Sequence, residues 1–474
     1  MSKFNIVKLY TTPSRRLLLL FLIVFVAFPA HAKCSKAISK YVLYRVYLVD
    51  KCGSAGTIYD PHTYLSEKSL LRRARQHLRV DSTDLPVSEV YQQNITQAGY
   101  NIVGKSKWNN TLLVKCSPRT SISALLTMKC VSQVKKVYES ADSVTLGSRI
   151  PYRKTFHDWD SLAHNFYGMA YDQIKALNGV KLHEQGYKGK GMLIALLDGG
   201  YMNTDRIPAL KGISIAGTRN FTVSSPTDIF QGTDHGTMVL SEMGTSQPGI
   251  YVGTAPEASY LLLRSEDTES ESLAEEDYWA QAAEYADSAG ADVVNSSLGY
   301  HAFDNSSTSH TYAELDGKQT LISHTASMMA DKGMILVCSA GNDGMGTWKK
   351  INFPADALNI ITVGAVSPNG LNAAFSSVGP TADGRIKPDI MAYGCPASVI
   401  NGRGSIVNEN GTSFAAPIVT GLVACIWQAL PNCTARQIEQ LVITSASHYN
   451  TPDNICGYGM PDFWKAYKLQ KNNR

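Results

Sequence analysis

This chain of 474 residues lacks a strong charge of either sign. Its formal net charge is +4, from 44 basic and 40 acidic side chains. That is small for a protein of this size, so the composition does not imply nucleic acid as a partner. Internal repeats and low-complexity segments are also missing. The most basic local cluster lies on a predicted helix, and we interpret it as a solvated face or an intramolecular contact; its members are Arg72, Arg73, Arg75 and Arg79.

Cysteine is scarce as well. Nine cysteines in a chain of this length are too few for a disulfide scaffold, and no group of Cys and His has the spacing of a metal site. Two pairs can form in an oxidising compartment, Cys433 with Cys456 and Cys116 with Cys130. Cys338 lies in an apolar run and is expected to be buried and unpaired. No activating histidine motif accompanies Cys338, which argues against a cysteine peptidase.

An apolar run near the N-terminus is too short for a comfortable membrane span. It extends from Leu17 to Phe28, follows four basic residues and precedes Ala30-His31-Ala32, whereas a span needs about 20 apolar residues. This order of basic, apolar and small residues is typical of a secretory signal. We therefore expect residues 1–32 to be a signal peptide and the protein to be secreted, extracellular or periplasmic, with no stable membrane anchor. An uncleaved anchor is the alternative.

The most informative stretch present is the heptad from Gly411 to Pro417, which surrounds Ser413 with small residues just before an apolar helical run. The start of a helix leaves backbone N–H groups unpaired and carries partial positive charge. A serine there can have its alkoxide and a developing oxyanion stabilised together. Pro417 is tolerated only near a helix start, which fixes the orientation of the segment. Ser413 is therefore a candidate nucleophile, which needs a base and an orienting acid.

Both partners are available upstream. Asp198 ends a short apolar run and is followed by two glycines, which predicts a buried parallel strand whose carboxyl end holds the acid. His235 lies at a glycine-marked junction between a loop and a predicted helix, and is the candidate base. The chain order Asp, His, Ser is one of the three known orders of the serine triad.

Four segments in this order resemble the signatures of the subtilisin-like serine peptidases. They are His235-Gly236-Thr237, the heptad around Ser413, the run Ser339 to Gly344 and the run Asn295 to Gly299. The resemblance covers roughly residues 166–470. It implies that Asn342 and the Ser413 N–H hold the oxyanion, and that the substrate lies against two segments, Ser297-Leu298-Gly299 and Ser339-Ala340-Gly341.

This chain departs from the family pattern at one position. The family usually places Ser or Thr after the catalytic Asp, and this chain has Gly199. The lost hydroxyl would have supported the carboxylate. Other interpretations stay open for each residue alone, because an Asp after a strand is often a turn residue, a His beside Gly often begins a helix, and Gly-Thr-Ser is commonly a cap.

The region before residue 150 has a different pattern. A strand at Tyr41 to Asp50, a helix at Tyr64 to Leu78 and several shorter elements, among them a strand at Thr111 to Cys116, form a compact β/α alternation. Its position resembles that of the inhibitory propeptide of subtilisin-like enzymes. We predict a small α+β domain at 33–150 and a linker at 151–165; an ordinary N-terminal domain that is never removed is the alternative.

From Ile174 onwards, predicted strands and helices alternate to the end of the chain. This alternation predicts an α/β fold, a doubly wound, mostly parallel sheet with helices on both faces. By resemblance it is the subtilisin-like fold, and we assign it to residues 166–474. No internal repeat interrupts the pattern.

The sequence therefore predicts a secreted serine endopeptidase made as a precursor, whose partners are protein or peptide substrates and its own propeptide. A catalytically inactive relative and an acyl transferase or esterase with the same triad are the alternatives. No cofactor is required; relatives often carry structural calcium, but no complete calcium-ligand loop occurs. By resemblance, Asn352 lies at the floor of the first-subsite pocket, where a glycine is often found, and shortens it.

Overall fold

The computed structural model describes residues 35–36, 40–140, 144–145, 149–152, 165–223 and 226–472. The predicted signal peptide and most of the predicted linker lie outside these described residues. Within them, the strands in chain order are β1 Ser35–Lys36, β2 Val42–Leu48, β3 Asn101–Ser106, β4 Thr111–Cys116, β5 Val131–Glu139, β6 Val144–Thr145, β7 Leu193–Asp198, β8 Ser214–Asn220, β9 Ser246–Gln247, β10 Tyr251–Val252, β11 Ser259–Arg264, β12 Val293–Ser296, β13 Ile335–Ser339, β14 Ile361–Val366, β15 Ile390–Tyr393, β16 Ala397–Ile400 and β17 Ile406–Glu409.

The α-helices of the same described residues lie between and after these strands. In chain order they are α1 Glu67–Arg75, α2 Glu89–Gln97, α3 Ser123–Thr127, α4 Tyr171–Ala176, α5 Gly179–Glu184, α6 His235–Gly244, α7 Ala274–Ala289, α8 Leu321–Asp331, α9 Thr412–Ala429, α10 Ala435–Ser445 and α11 Phe463–Asn472.

Seven strands form a large sheet in the order β15-β14-β13-β12-β7-β11-β8. Every neighbouring pair in it is parallel. Strand β7 is buried on both faces, because its alternate side chains enter two different hydrophobic cores. Ile194 and Leu196 pack with α6 and α9 on one face, whereas Ala195 and Leu197 pack with α7 and α8 on the other. The predicted doubly wound α/β fold is therefore confirmed.

Helix α9 is the central helix of the first core. By length and composition it could cross a membrane, but 89% of it is buried inside the protein. Its apolar residues contact β12, β13, β14 and β15. An apolar helix in this position is a core helix, and it carries Ser413 near its first turn.

A second sheet belongs to the N-terminal region. It is antiparallel, with the order β3-β4-β2-β5. One face of this N-terminal sheet packs on its own short helices through residues such as Val46 and Val114. The other face packs on α7 through Leu43 and Leu113. The predicted small α+β domain therefore docks on a helix of the large sheet.

Buried ion pairs reinforce this docking face. Arg45 of β2 donates to both carboxylate oxygens of Asp277 on α7 at 2.7–3.0 Å. Arg72 and Arg73 of α1 both donate to Asp287, at the other end of α7. Buried charges persist only when they are paired and hydrogen-bonded. Of the two interpretations of the basic cluster, the intramolecular contact is correct for these two arginines.

Neither of the two cysteine pairs that the sequence allows is bonded in the described residues. Cys116, Cys130 and Cys456 are free thiols, and burial raises the pKa of each. Cys338 is fully buried and unpaired, as the apolar run predicts. Spacing along the chain was therefore a poor guide to pairing, because the fold, and not the spacing, sets the distance between two sulfurs.

Candidate active site

Three elements bring the candidate triad together. Asp198 is the last residue of β7, His235 is the first residue of α6, and Ser413 lies in the first turn of α9. The carboxyl ends of parallel strands share one edge of a sheet, which is where open α/β folds place their sites. Residues that are far apart in the sequence therefore lie close together at this edge of the sheet.

The Asp198 carboxylate holds the imidazole of His235. Its two oxygens lie 2.9 and 3.0 Å from Nδ1 of His235, and the carboxylate is fully buried. The backbone N–H of Gly199 donates to Asp198 Oδ1 at 2.8 Å, so the main chain supports the carboxylate at this position. Burial lowers the pKa of His235, but Asp198 outweighs it and raises the pKa to about 9. The pair therefore stabilises an imidazolium.

The hydroxyl of Ser413 is not yet directed at the base. It donates to the carbonyl oxygen of Ser297 at 3.1 Å, and a rotation about χ1 would redirect it. Pro417 has no N–H for the carbonyl of Ser413, which lies four residues before it in the helix. That carbonyl accepts from the Ser297 hydroxyl at 2.8 Å instead. Ser297 therefore contacts the candidate nucleophile twice.

The side chain of Asn342 is oriented by Thr412. Its Oδ1 accepts from the backbone N–H of Thr412 at 2.9 Å and from the Thr412 hydroxyl at 3.0 Å. The same hydroxyl accepts from the N–H of Gly341 at 3.1 Å. With Oδ1 occupied in this way, the Nδ2 amide group of Asn342 is left to donate elsewhere, and Asn342 lines the cleft.

The candidate residues surround one cleft of about 400 Å³. Two neighbouring strand ends form its walls, the segment after β12 and the segment after β13. Ala340, next to these wall residues, is fully buried. The lining residues are His235, Glu266, Ser297, Leu298, Gly299, Ser339, Gly341, Asn342, Asp343, Asn352, Thr412 and Ser413.

Asn352 is a buried residue of this cleft, with 7% of its surface exposed. Its Nδ2 donates to Asp343 Oδ2 at 2.8 Å, while its Oδ1 is buried with no hydrogen-bond partner. A Cβ on Gly299 would lie 2.9 Å from Cβ of Asn352. The Asn352 side chain therefore occupies space between the two walls, and only one of its polar atoms is satisfied.

Two acidic residues of the cleft were missed from the sequence. Asp343 follows Asn342 directly, and Glu266 lies two residues after the end of β11. A polar residue after a buried strand is the signal that pointed to Asp198, and it was available for Glu266 too. Burial and the nearby Asp198 raise the pKa of Glu266 to about 8, and His235 opposes the rise.

Glu266 also belongs to a group of three carboxylates. One oxygen from each of Glu266, Glu271 and Glu275 lies within 4.8 Å of the others. Glu275 is fully buried, and burial and the other two carboxylates raise its pKa. Oxygen ligands at this spacing suit a hard divalent cation or a cationic side chain. Sequence inspection found no calcium loop here because these residues come from a loop and the start of α7.

The arrangement is typical of a class of protein: a hydrolase of the α/β type in which a serine and a histidine line one cleft and a buried aspartate holds the histidine from behind. Residues 189–459 match the family model described as Subtilase family. The chain therefore belongs to the subtilase family, and it is a serine endopeptidase. Residues 43–150 match the model described as Peptidase S8 propeptide domain, Bacteroidota, so the N-terminal domain is a propeptide domain.

Curated relatives are similar over most of the same region. Subtilisin NAT of Bacillus subtilis subsp. natto is 28% identical over 291 residues, which are 61% of this chain and 69% of that protein. A thermostable alkaline protease of Halalkalibacterium halodurans is 28% identical over 346 residues, covering 72% of this chain and 81% of that protein. A solved structure of MycP1 with its N-terminal propeptide removed is 25% identical, covers 62% of this chain and 96% of its own, and has a TM-score of 0.49.

Proposed function

We propose that this subtilase hydrolyses peptide bonds through the triad Ser413, His235 and Asp198. The observation that carries the proposal is the Asp198–His235 contact at 2.9 Å in the same cleft as Ser413. Ser413 Oγ attacks the scissile carbonyl carbon, and His235 takes the hydroxyl proton on its free ring nitrogen. Asp198 fixes the tautomer through Nδ1 and stabilises the resulting imidazolium.

The remaining steps reuse the same groups. The tetrahedral intermediate collapses, the C–N bond breaks, and His235 returns its proton to the leaving amine. Water then attacks the acyl-enzyme, again with His235 as base, and Ser413 regains its proton. The amide of Asn342 and the N–H of Ser413 donate to the oxyanion both when the acyl-enzyme forms and when water hydrolyses it. No step needs a cofactor.

We further propose that the protein is made as a secreted precursor. Residues 1–32 are the signal peptide, 33–150 the propeptide, 151–165 the linker and 166–474 the peptidase. The docking of the N-terminal sheet on α7 through buried ion pairs supports an intramolecular inhibitor. The product acts outside the cytoplasm, extracellular or periplasmic, without a stable membrane anchor and without nucleic acid.

Cleavage of an unrelated protein tests the proposed activity. The purified, processed enzyme should degrade casein, and a Ser413→Ala variant should not. Casein left intact by an enzyme that still hydrolyses simple esters or transfers acyl groups would favour the acyl transferase or esterase. Absence of all three activities would indicate an inactive relative of the family.

The precursor should cut itself between Tyr138 and His164. The composition typical of a linker is concentrated in this range, most of which lies outside the described part of the chain. Intact-mass analysis of wild type and Ser413→Ala, expressed side by side, measures the cut. An identical cut in both proteins would mean that another peptidase performs the processing.

Asn352 should restrict the residue before the scissile bond. Its side chain fills part of the pocket and leaves a buried Oδ1 without a partner, and burying an unpaired amide against a large apolar group costs about 1 to 3 kcal/mol. Ala, Leu or Met should therefore be preferred over Phe and Tyr in a peptide panel. Asn352→Gly should improve Phe and Tyr; equal use of Leu and Phe by wild type, with no gain in the variant, would contradict this role.

A further inference from the structure

The carboxylate of Glu266 occupies the space that a side chain at position 199 would need. A Cβ placed on Gly199 would lie 2.5 Å from Glu266 Oε2. The family usually has a hydroxyl-bearing residue after the catalytic aspartate, and this chain has none. The departure at Gly199 therefore has a structural counterpart: the acidic side chain of Glu266, in the loop that follows the neighbouring strand β11, lies in the site beside the Asp198–His235 pair.

The nearby basic groups are directed at other acceptors. Arg264 donates to the backbone carbonyls of Pro226 and Glu266, and Nδ1 of His235 is held by Asp198. Among the lysines and arginines in the described part of the chain, none forms an ion pair with the Glu266 carboxylate. The carboxyl groups of Glu271 and Glu275 lie close by and repel a further negative charge. This end of the cleft is therefore suited to a cation.

The order of the strands indicates which residue of a bound peptide substrate lies next to Glu266. By the family resemblance, the first-subsite pocket lies between the segments after β12 and β13, which line the cleft. In the sheet, β7 and β11 lie on the other side of β12. Successive side chains of an extended peptide point in opposite directions. When one residue enters the first pocket, the residue before it points towards His235 and Glu266.

We propose that Glu266 selects a lysine or arginine side chain at the second residue before the scissile bond. This inference rests on the proposed peptidase function and names a substrate class for it: peptides with a cationic residue at that position. A charge-assisted hydrogen bond to a partly buried carboxylate is among the stronger polar contacts. Loss of the substrate charge should therefore reduce kcat/KM by about tenfold.

A pair of matched peptides tests the proposal. Both carry leucine before the scissile bond, and the residue preceding it is arginine in one and citrulline in the other, which keeps the shape but removes the charge. The processed enzyme is assayed at pH 9, above the pKa of about 8 of the Glu266 carboxyl. Wild type should prefer the arginine peptide by about tenfold in kcat/KM, and Glu266→Gln should bring the ratio close to one. Glu257→Gln, which removes an exposed carboxylate that pairs with Lys188 and does not line the cleft, should keep the preference.

Each of the other outcomes would overturn either the role of Glu266 or the proposed peptidase function. Equal kcat/KM for both peptides in wild type, or an unchanged ratio in Glu266→Gln, would overturn the proposal. Activity that is lost with a chelator and restored by Ca²⁺ in wild type but not in Glu275→Gln, with no preference for arginine, would overturn the proposal and assign the three carboxylates to a metal ion instead. Failure of wild type to cleave either peptide or casein would refute the proposed function itself, which separates the two failures.

Discussion

Replacing Ser413 by alanine is expected to lower turnover by on the order of 10⁶-fold. The variant keeps His235, Asp198 and the cleft, so only the nucleophile is removed. His235→Ala should cost about as much, because serine and base act as a unit, whereas Asp198→Ala should be milder, about 10⁴-fold. These magnitudes are the ones established for subtilisins, and steady-state kcat/KM on a Leu-containing peptide measures them.

A matched serine variant controls for general damage to the fold. Ser307 lies on an exposed turn far from α9 in sequence, and Ser307→Ala should keep wild-type turnover. Because the proposed self-processing uses Ser413, the Ser413→Ala protein is released from its propeptide by an added peptidase before the comparison. Turnover of the released Ser413→Ala protein equal to that of wild type would end the assignment of the nucleophile.

Replacing Asn342 by alanine is expected to lower kcat by about 10²- to 10³-fold with little change in KM. In the proposed role, the amide donates to an oxygen that carries full negative charge only in the tetrahedral intermediate, so its loss should affect the transition state more than substrate binding. The size of this effect is also the one established for subtilisins. Steady-state kinetics on processed enzyme separates kcat from KM.

Thr412→Val provides the matched variant for Asn342. It keeps the amide but removes the hydroxyl that donates to Asn342 Oδ1 at 3.0 Å, while the backbone N–H of residue 412 still holds the oxygen. We expect an intermediate loss of kcat. A loss of less than tenfold in Asn342→Ala would mean that the oxyanion is held by other donors.

Most of the large sheet and the candidate triad could be predicted from the sequence. Buried parallel strands are continuous apolar runs, so β7, β11 and β13 could be located to within one residue. Chemistry-bearing residues at the ends of these runs fall on one edge of the sheet, because all its strands are parallel. That rule located Asp198, whereas His235 was located by its place at a loop-to-helix junction, 37 positions further along the chain.

Elements without an apolar pattern were missed. Helix α2 buries Ile95 as its only fully buried side chain, and its remaining polar residues resemble a loop. Strand β8 is an edge strand with mostly exposed side chains, so no apolar run marks it. Both elements are fixed by neighbours in the fold, which the local sequence does not contain.

Contacts between segments that are far apart along the chain also could not be predicted from the sequence. The burial of Arg72 depends on Asp287, 215 residues away, and a cluster of arginines on a helix more often faces solvent. The position of Glu266 beside Gly199 depends on the pairing of β11 with β7, in which Arg264 lies opposite Asp198. From the sequence, Gly199 indicates only a lost hydroxyl, because the side chain that fills the space belongs to the loop after β11.

The most direct test of the central claim is covalent labelling of the nucleophile. The processed enzyme is treated with a fluorophosphonate, which phosphonylates a serine only when a neighbouring base activates its hydroxyl, and intact mass and peptide mapping locate the adduct. The account predicts one adduct per molecule, on Ser413, absent from Ser413→Ala and formed far more slowly in His235→Ala. A wild-type enzyme that cleaves casein but stays unlabelled, or carries the adduct on another residue, would contradict it.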